Sequence, residues 1–197
     1  MKRNHKIIIL VFLNLILISA TKEPAPKDFL SVGKKIEFNQ EEFELKWSSH
    51  PSPEYYKQEY LRKDDKLPQY KKMMMVEAVK ATLSVAEVVH GKLFELENRK
   101  KEDPVVNYQK FENKQKGEIM IDFMLSDGQG TYEWNIYRYQ NQKNESGNYV
   151  VLYAYSYREY ASSKETVIQF FEEIKKMRMG LIGKMGNMKI PNVMTNE

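Results

Sequence analysis

The chain has 197 residues, with 31 Lys and Arg against 27 Asp and Glu, three His and no Cys. Without cysteine it has no disulfide framework, no thiolate chemistry and no lipid-modified N-terminal cysteine. Lys2, Arg3 and Lys6 account for most of the formal +4, and 28 basic against 27 acidic residues remain beyond the first twenty. That near-neutral balance argues against a nucleic-acid binder, which relies on a surplus of cations.

The first three basic residues precede an apolar run, 7–18, interrupted only by Asn14. Ser19 and Ala20 follow, then the polar stretch Thr21-Lys22-Glu23-Pro24-Ala25-Pro26. A charged start, an apolar middle and a small residue at the cut describe a secretory signal peptide. The rival is an uncleaved anchor. Positions 7–20 make about 21 Å of helix, against a hydrocarbon core of roughly 30 Å, so cleavage near Ala20 is the favoured reading. Ile18 is large for its position, which leaves the cut uncertain by a few residues. The expectation is an exported protein, periplasmic or secreted, with 1–20 removed, 21–32 a linker and no stable membrane span afterwards. The remaining ~177 residues suffice for one domain. Thirteen Tyr, nine Phe and two Trp supply bulk for a core that packing alone must hold.

The single domain is expected over 33–182. Residues 33–47 read as a strand pair, with Ile36 and Phe38, then Phe43, Leu45 and Trp47, alternating around Asn39-Gln40. Pro51 and Pro53 mark 48–53 as a loop, and 55–61 reads as a strand. The dense apolar stretch 73–79 suits either a strand or the start of a helix. Ser84-Val85-Ala86-Glu87 decides it, because S-x-x-E is a capping box that starts a helix at Val85. Val85, Val89, Leu93 and Leu96 form its apolar stripe, and Pro104 ends it. Gly91 inside that helix costs about 1 kcal/mol relative to Ala. Four strands follow: 105–111, 117–126, 131–140 and 149–158. Asp127-Gly128-Gln129-Gly130 is the hairpin turn between the second and third. A last helix is expected over 164–179, capped by Ser162 or Ser163 and buried through Val167, Phe170, Phe171 and Ile174. Gly180, Gly183 and Gly186 read as breakers, and 183–197 as an irregular tail. The predicted fold class is α+β, an antiparallel β-sheet with two main helices packed on one face.

In its order of elements the chain resembles the fold shared by the photosystem PsbP proteins and the Mog1-like proteins, over roughly 33–179. It also resembles uncharacterised exported bacterial proteins, through Gln58-Glu59-Tyr60-Leu61, Asp103-Pro104-Val105-Val106-Asn107-Tyr108-Gln109 and Glu133-Trp134-Asn135-Ile136-Tyr137-Arg138-Tyr139. The first resemblance implies a non-enzymatic binding or assembly module; neither implies an active site.

The tyrosine-rich hairpin is the foremost candidate surface. A turn centred near Asn144 places Asn135 opposite Tyr153 and Tyr137 opposite Val151. One face then carries Tyr137, Tyr139, Tyr149, Tyr153 and Tyr155, together with Glu133, Asn135 and Tyr157. Tyrosines favour recognition surfaces, but they also fill half-exposed strands by pairing across a sheet. A one-residue slip moves every side chain to the other face. Arg138 and Arg158 on the same strands suit a carboxylate or phosphate clamp; the alternative is a nearby Glu or a ring to stack on.

Catalytic and metal signals are thin. Glu87-Val88-Val89-His90 has the E-x-x-H spacing of di-iron bundles, which need two such motifs and further glutamates. Met73-Met74-Met75 and Met177-Arg178-Met179 suit soft metals, or core filling. No G-x-S-x-G elbow, Walker loop or dinucleotide glycine motif occurs. The expected function is that of an exported, non-enzymatic binding or accessory protein of the cell envelope, with no cofactor, no metal and no catalytic residue. Its partner would be another envelope protein or a small ligand. An inhibitor or immunity-type protein is the alternative, and an envelope hydrolase a further one.

Overall fold

The structure, a computed structural model, describes residues 25–80 and 83–196. The expected signal segment and positions 21–24 of the expected linker lie outside the described residues. Among the described residues eight antiparallel strands form one sheet: β1 Lys35–Phe38, β2 Glu41–Ser52, β3 Tyr55–Leu61, β4 Lys72–Lys80, β5 Asn107–Asn113, β6 Glu118–Ser126, β7 Thr131–Asn144 and β8 Gly147–Tyr160. Helix α1, Val85–Arg99, joins β4 to β5, and α2, Lys164–Asn187, follows β8. The order across the sheet is β1-β2-β3-β4-β8-β7-β6-β5. Two meanders, β1–β4 and β5–β8, therefore meet at the β4–β8 seam. Among the described residues no helix is long and apolar enough to cross a membrane.

Local chemistry sets most boundaries. Ser84 and Glu87 form the capping box predicted for α1, and Ser163 caps α2 through the Thr166 N–H. Asp127 closes the β6–β7 turn by accepting from the Gln129 and Thr131 N–H groups at 2.7 and 2.9 Å. Pro51 does not end β2. Past Leu45 that strand pairs only with β3 and carries register shifts, and an open, bulged edge tolerates proline. Gly180, Gly183 and Gly186 do not end α2 either. Leu181, Ile182 and Met185 continue its buried stripe, and their burial outweighs the roughly 1 kcal/mol each glycine costs a helix.

The expected two helices on one face are not what forms. The helices lie on opposite faces of the sheet. Phe170, Ile174, Leu181, Ile182 and Met185 of α2 share a core with Trp134, Ile136, Tyr153 and Tyr155. Val85, Val89 and Leu96 of α1 share a second core with Ile121, Phe123, Leu152 and Ala154. The cause lies in β8, which is buried from Tyr149 through Ser156 without interruption. Both of its faces are mostly apolar, so both need cover. The sheet curls as a half-barrel around α2. Lys184 on that helix donates to Asn39 in the β1–β2 turn, and Arg178 donates to Gln109 on β5 at 2.7 Å. One helix thus touches both ends of the sheet.

The described parts of the expected linker and tail, 25–32 and 183–196, pack on the α2 side. Leu30 is fully buried, and Ile190 and Val193 are buried with it. Gln58 accepts from the Leu30 N–H at 2.9 Å and donates to Asp28 at 3.0 Å. Backbone bonds from Met194 to Leu30 and from Asn196 to Phe29 tie the two segments together.

Candidate functional site

The β7–β8 hairpin turns through Glu145-Ser146, with Asn144 opposite Gly147. Asn135 therefore faces Ser156 instead of Tyr153, and Tyr137 faces Ala154 instead of Val151. The pairing is offset from the expected one by three residues, an odd number, so the two strands exchange relative faces. The tyrosine ladder is divided by this offset. Tyr137 and Tyr139 lie on the α1 side with Leu152 and Ala154. Tyr149, Tyr153 and Tyr155 lie on the α2 side and are buried in its core. Burial raises the Tyr153 and Tyr155 phenols above their ordinary range.

Both candidate arginines are committed to internal partners. Arg138, almost wholly buried, donates to Glu118 at 2.8 and 2.9 Å and to the Met185 and Met188 carbonyls at 2.7 Å. It thereby satisfies carbonyls at the C-terminal end of α2, where positive charge suits the helix dipole. Arg158 lies on the α1 side, donates to Glu133 at 2.7 Å and stacks 4.1 Å from the Tyr70 ring centroid. The structure thus brings Tyr137, Tyr139 and Arg158 to one face, and Arg138 with the other three tyrosines to the opposite one.

On the α1 face, Arg158 belongs to a half-buried network of charges. Lys57 reaches Glu59 at 2.9 Å and Glu77 at 3.8 Å. Tyr70 donates to Glu133 at 3.0 Å. Lys92 of α1 lies over Phe123 and Tyr137, at 5.1 and 5.7 Å from their centroids. Burial raises the Glu77 carboxyl against the pull of Lys57 and the Tyr55 hydroxyl. Burial likewise raises Tyr137, with Glu77 and Glu133 adding to it. Three cations and three carboxylates compensate one another here, which suits a network that holds α1 and the Tyr70 segment on the sheet.

The other candidate ligands have local duties. Glu87 is spent in the α1 cap. His50 stacks on Tyr56 with centroids 4.0 Å apart. Met73, Met74 and Met75 are buried in the two cores. Among the described residues no group of three or more His, Asp or Glu is placed to hold a metal ion.

The open surface lies elsewhere, between the edge of β1 that is unpaired among the described residues and the C-terminal half of α2. Two adjoining shallow depressions, wide open to solvent, share Glu37 and Met188. The first runs from Val32, Lys35 and Ile36 to Lys189 and Pro191. The second is walled by Phe38 and Asn39 on one side and by Gly180, Gly183 and Lys184 on the other. A Cβ added at Gly180 or Gly183 would meet nothing within 4 Å. Sequence reasoning missed this groove because the glycines read as helix breakers. Their three-residue spacing, set within a continuing apolar stripe, was the available signal.

No curated protein and no solved structure matches the chain. A family model matches residues 30–190. That span contains all three segments that carried the resemblance to uncharacterised proteins, 58–61, 103–109 and 133–139, and ends within the ordered tail. The chain belongs to this uncharacterised family.

Proposed function

We propose that this chain is an exported, non-enzymatic accessory protein of the cell envelope that binds another envelope component in the groove between β1 and α2. The observation that carries the reading is the groove itself, an open strand edge facing a helix surface without side chains at Gly180 and Gly183. The charged, apolar and small-residue sequence of 1–20 supports export.

Affinity purification from native membranes, followed by mass spectrometry, tests the binding reading. The chain should retain a partner that the Gly180→Gln/Gly183→Gln double variant loses while staying folded. Identical partners for both proteins would remove the groove from the reading. Export is tested by fractionation and N-terminal sequencing: the envelope form should begin near Thr21, and an intact cytosolic chain would refute export.

A further inference from the structure

We infer that the groove takes an extended amphipathic peptide segment of the partner protein, which β1 adds to the sheet as a further antiparallel strand. The inference rests on the groove reading above and names what fills it.

The hydrogen-bond parity of the β1–β2 hairpin sets the edge. Leu45 donates to the Lys34 carbonyl at 2.8 Å, and Ile36↔Phe43 and Phe38↔Glu41 continue the same alternation. In an antiparallel pair alternate residues bond to the partner, and those between turn their peptide groups outward. The N–H and C=O groups of Lys35 and Glu37 therefore face the groove. Two donors and two acceptors at i and i+2 are the unit by which an edge strand captures another backbone. β1 is short and carries the exposed Lys35 and Glu37, devices that blunt an edge, but neither proline nor a bulge interrupts it between Lys35 and Phe38.

Side chains define the segment that fits. Ile36 and Phe38 turn into the α2-side core, whereas Lys35 and Glu37 are exposed on the other face. A strand beside β1 thus needs apolar residues toward the groove, where Val32, Met188 and Pro191 lie. Its alternate residues lie beside Lys35 and Glu37. Glu37 stands directly across the ladder from Glu42, and Lys35 is bound to Glu42 at 2.7 Å. Like charges directly opposite are unfavourable, so a basic residue beside Glu37 relieves that pair, and an acidic one complements Lys35. Read in the antiparallel direction, the fitting pattern is basic, apolar, acidic, an order that Lys35-Ile36-Glu37 of a second copy also has, so the test must separate the two.

The probe is a capped peptide of alternating valine and charged residues with the core order Val-Lys-Val-Glu-Val. Binding is read by fluorescence anisotropy, and amide hydrogen exchange is read at Lys35 and Glu37. The expected result is binding below about 1 mM, with slowed exchange at both amides. N-methylation of the alternate peptide amides that would face β1 should weaken binding at least about ten-fold, because it removes the strand hydrogen bonds. Glu37→Pro should do the same, since it deletes an outward N–H and leaves the β2 ladder intact. Gly180→Gln/Gly183→Gln fills the groove and gives an independent arm should the proline variant misfold. Equal binding of the N-methylated peptide, unprotected Lys35 and Glu37 amides, or no binding at all would overturn strand addition. Tighter binding of the order Val-Glu-Val-Lys-Val would overturn the antiparallel assignment. Self-association in sedimentation runs that Lys35→Glu abolishes would assign the edge to a second copy and overturn the peptide. If the native partner is lost from the double glutamine variant while the peptide arms fail, the groove stands and strand capture falls.

Discussion

Arg138 shows how a residue with binding chemistry becomes an internal staple. Its guanidinium joins Glu118 at the start of β6 to the last carbonyls of α2. Arg138→Met keeps bulk and removes every one of these bonds. It should cost about 2–4 kcal/mol, because Glu118 is left half-buried and unpaired, and urea denaturation measures the loss. Glu77 carries a pH signature of its own. Burial makes it hold its proton more tightly in the folded chain than in the unfolded one. Folding therefore takes up a proton, and its contribution to stability falls as pH rises from the ordinary carboxylate range through its raised pKa. Glu77→Gln removes that fall. The urea midpoint of the variant should gain on that of the native chain as pH rises from the ordinary carboxylate range, about pH 4, upward; a constant offset would refute the role of burial. None of these partners was legible in the sequence. Glu118 is twenty positions from Arg138 and Lys57 is twenty from Glu77, and only the strand register brings them together.

At the scale of the element, the capped helix α1 and the β1–β2 and β6–β7 turns were readable because their determinants are local. A capping box needs four residues and a tight turn about as many. The length of α2 was not readable. Three glycines weigh against a helix by propensity, and only the core against Leu181, Ile182 and Met185 outweighs them. Gly180 and Gly183 lie in helix with open space at their Cβ positions. Gly180→Ala and Gly183→Ala should each stabilise the fold by about 0.5–1 kcal/mol, as thermal or urea unfolding would show. Each also narrows the groove, so improved stability with weakened partner capture would separate fold from binding at these positions.

At the scale of the whole molecule, the half-barrel depends on the segments around Leu30 and Val193 meeting on the α2 side. Removal of residues 188–197 exposes the surface that Ile190 and Val193 bury and frees Leu30 from its backbone partner Met194. Truncation after Asn187 should therefore cost about 3–5 kcal/mol, at roughly 1.5–3 kcal/mol per buried aliphatic side chain. An unchanged urea midpoint would mean the tail only lies on the surface. What the sequence determined by itself were the strands in chain order and the start of α1, both products of short-range pattern, and the near balance of charge beyond the first twenty residues. The tertiary structure alone decided which tyrosines share a face, because a three-residue offset in one hairpin inverts the pleat. It alone placed the helices on opposite sides, because β8 is apolar on both faces and alternation cannot say which helix covers which. It alone opened the groove at β1, because an unpaired edge is defined by the strand that is not beside it.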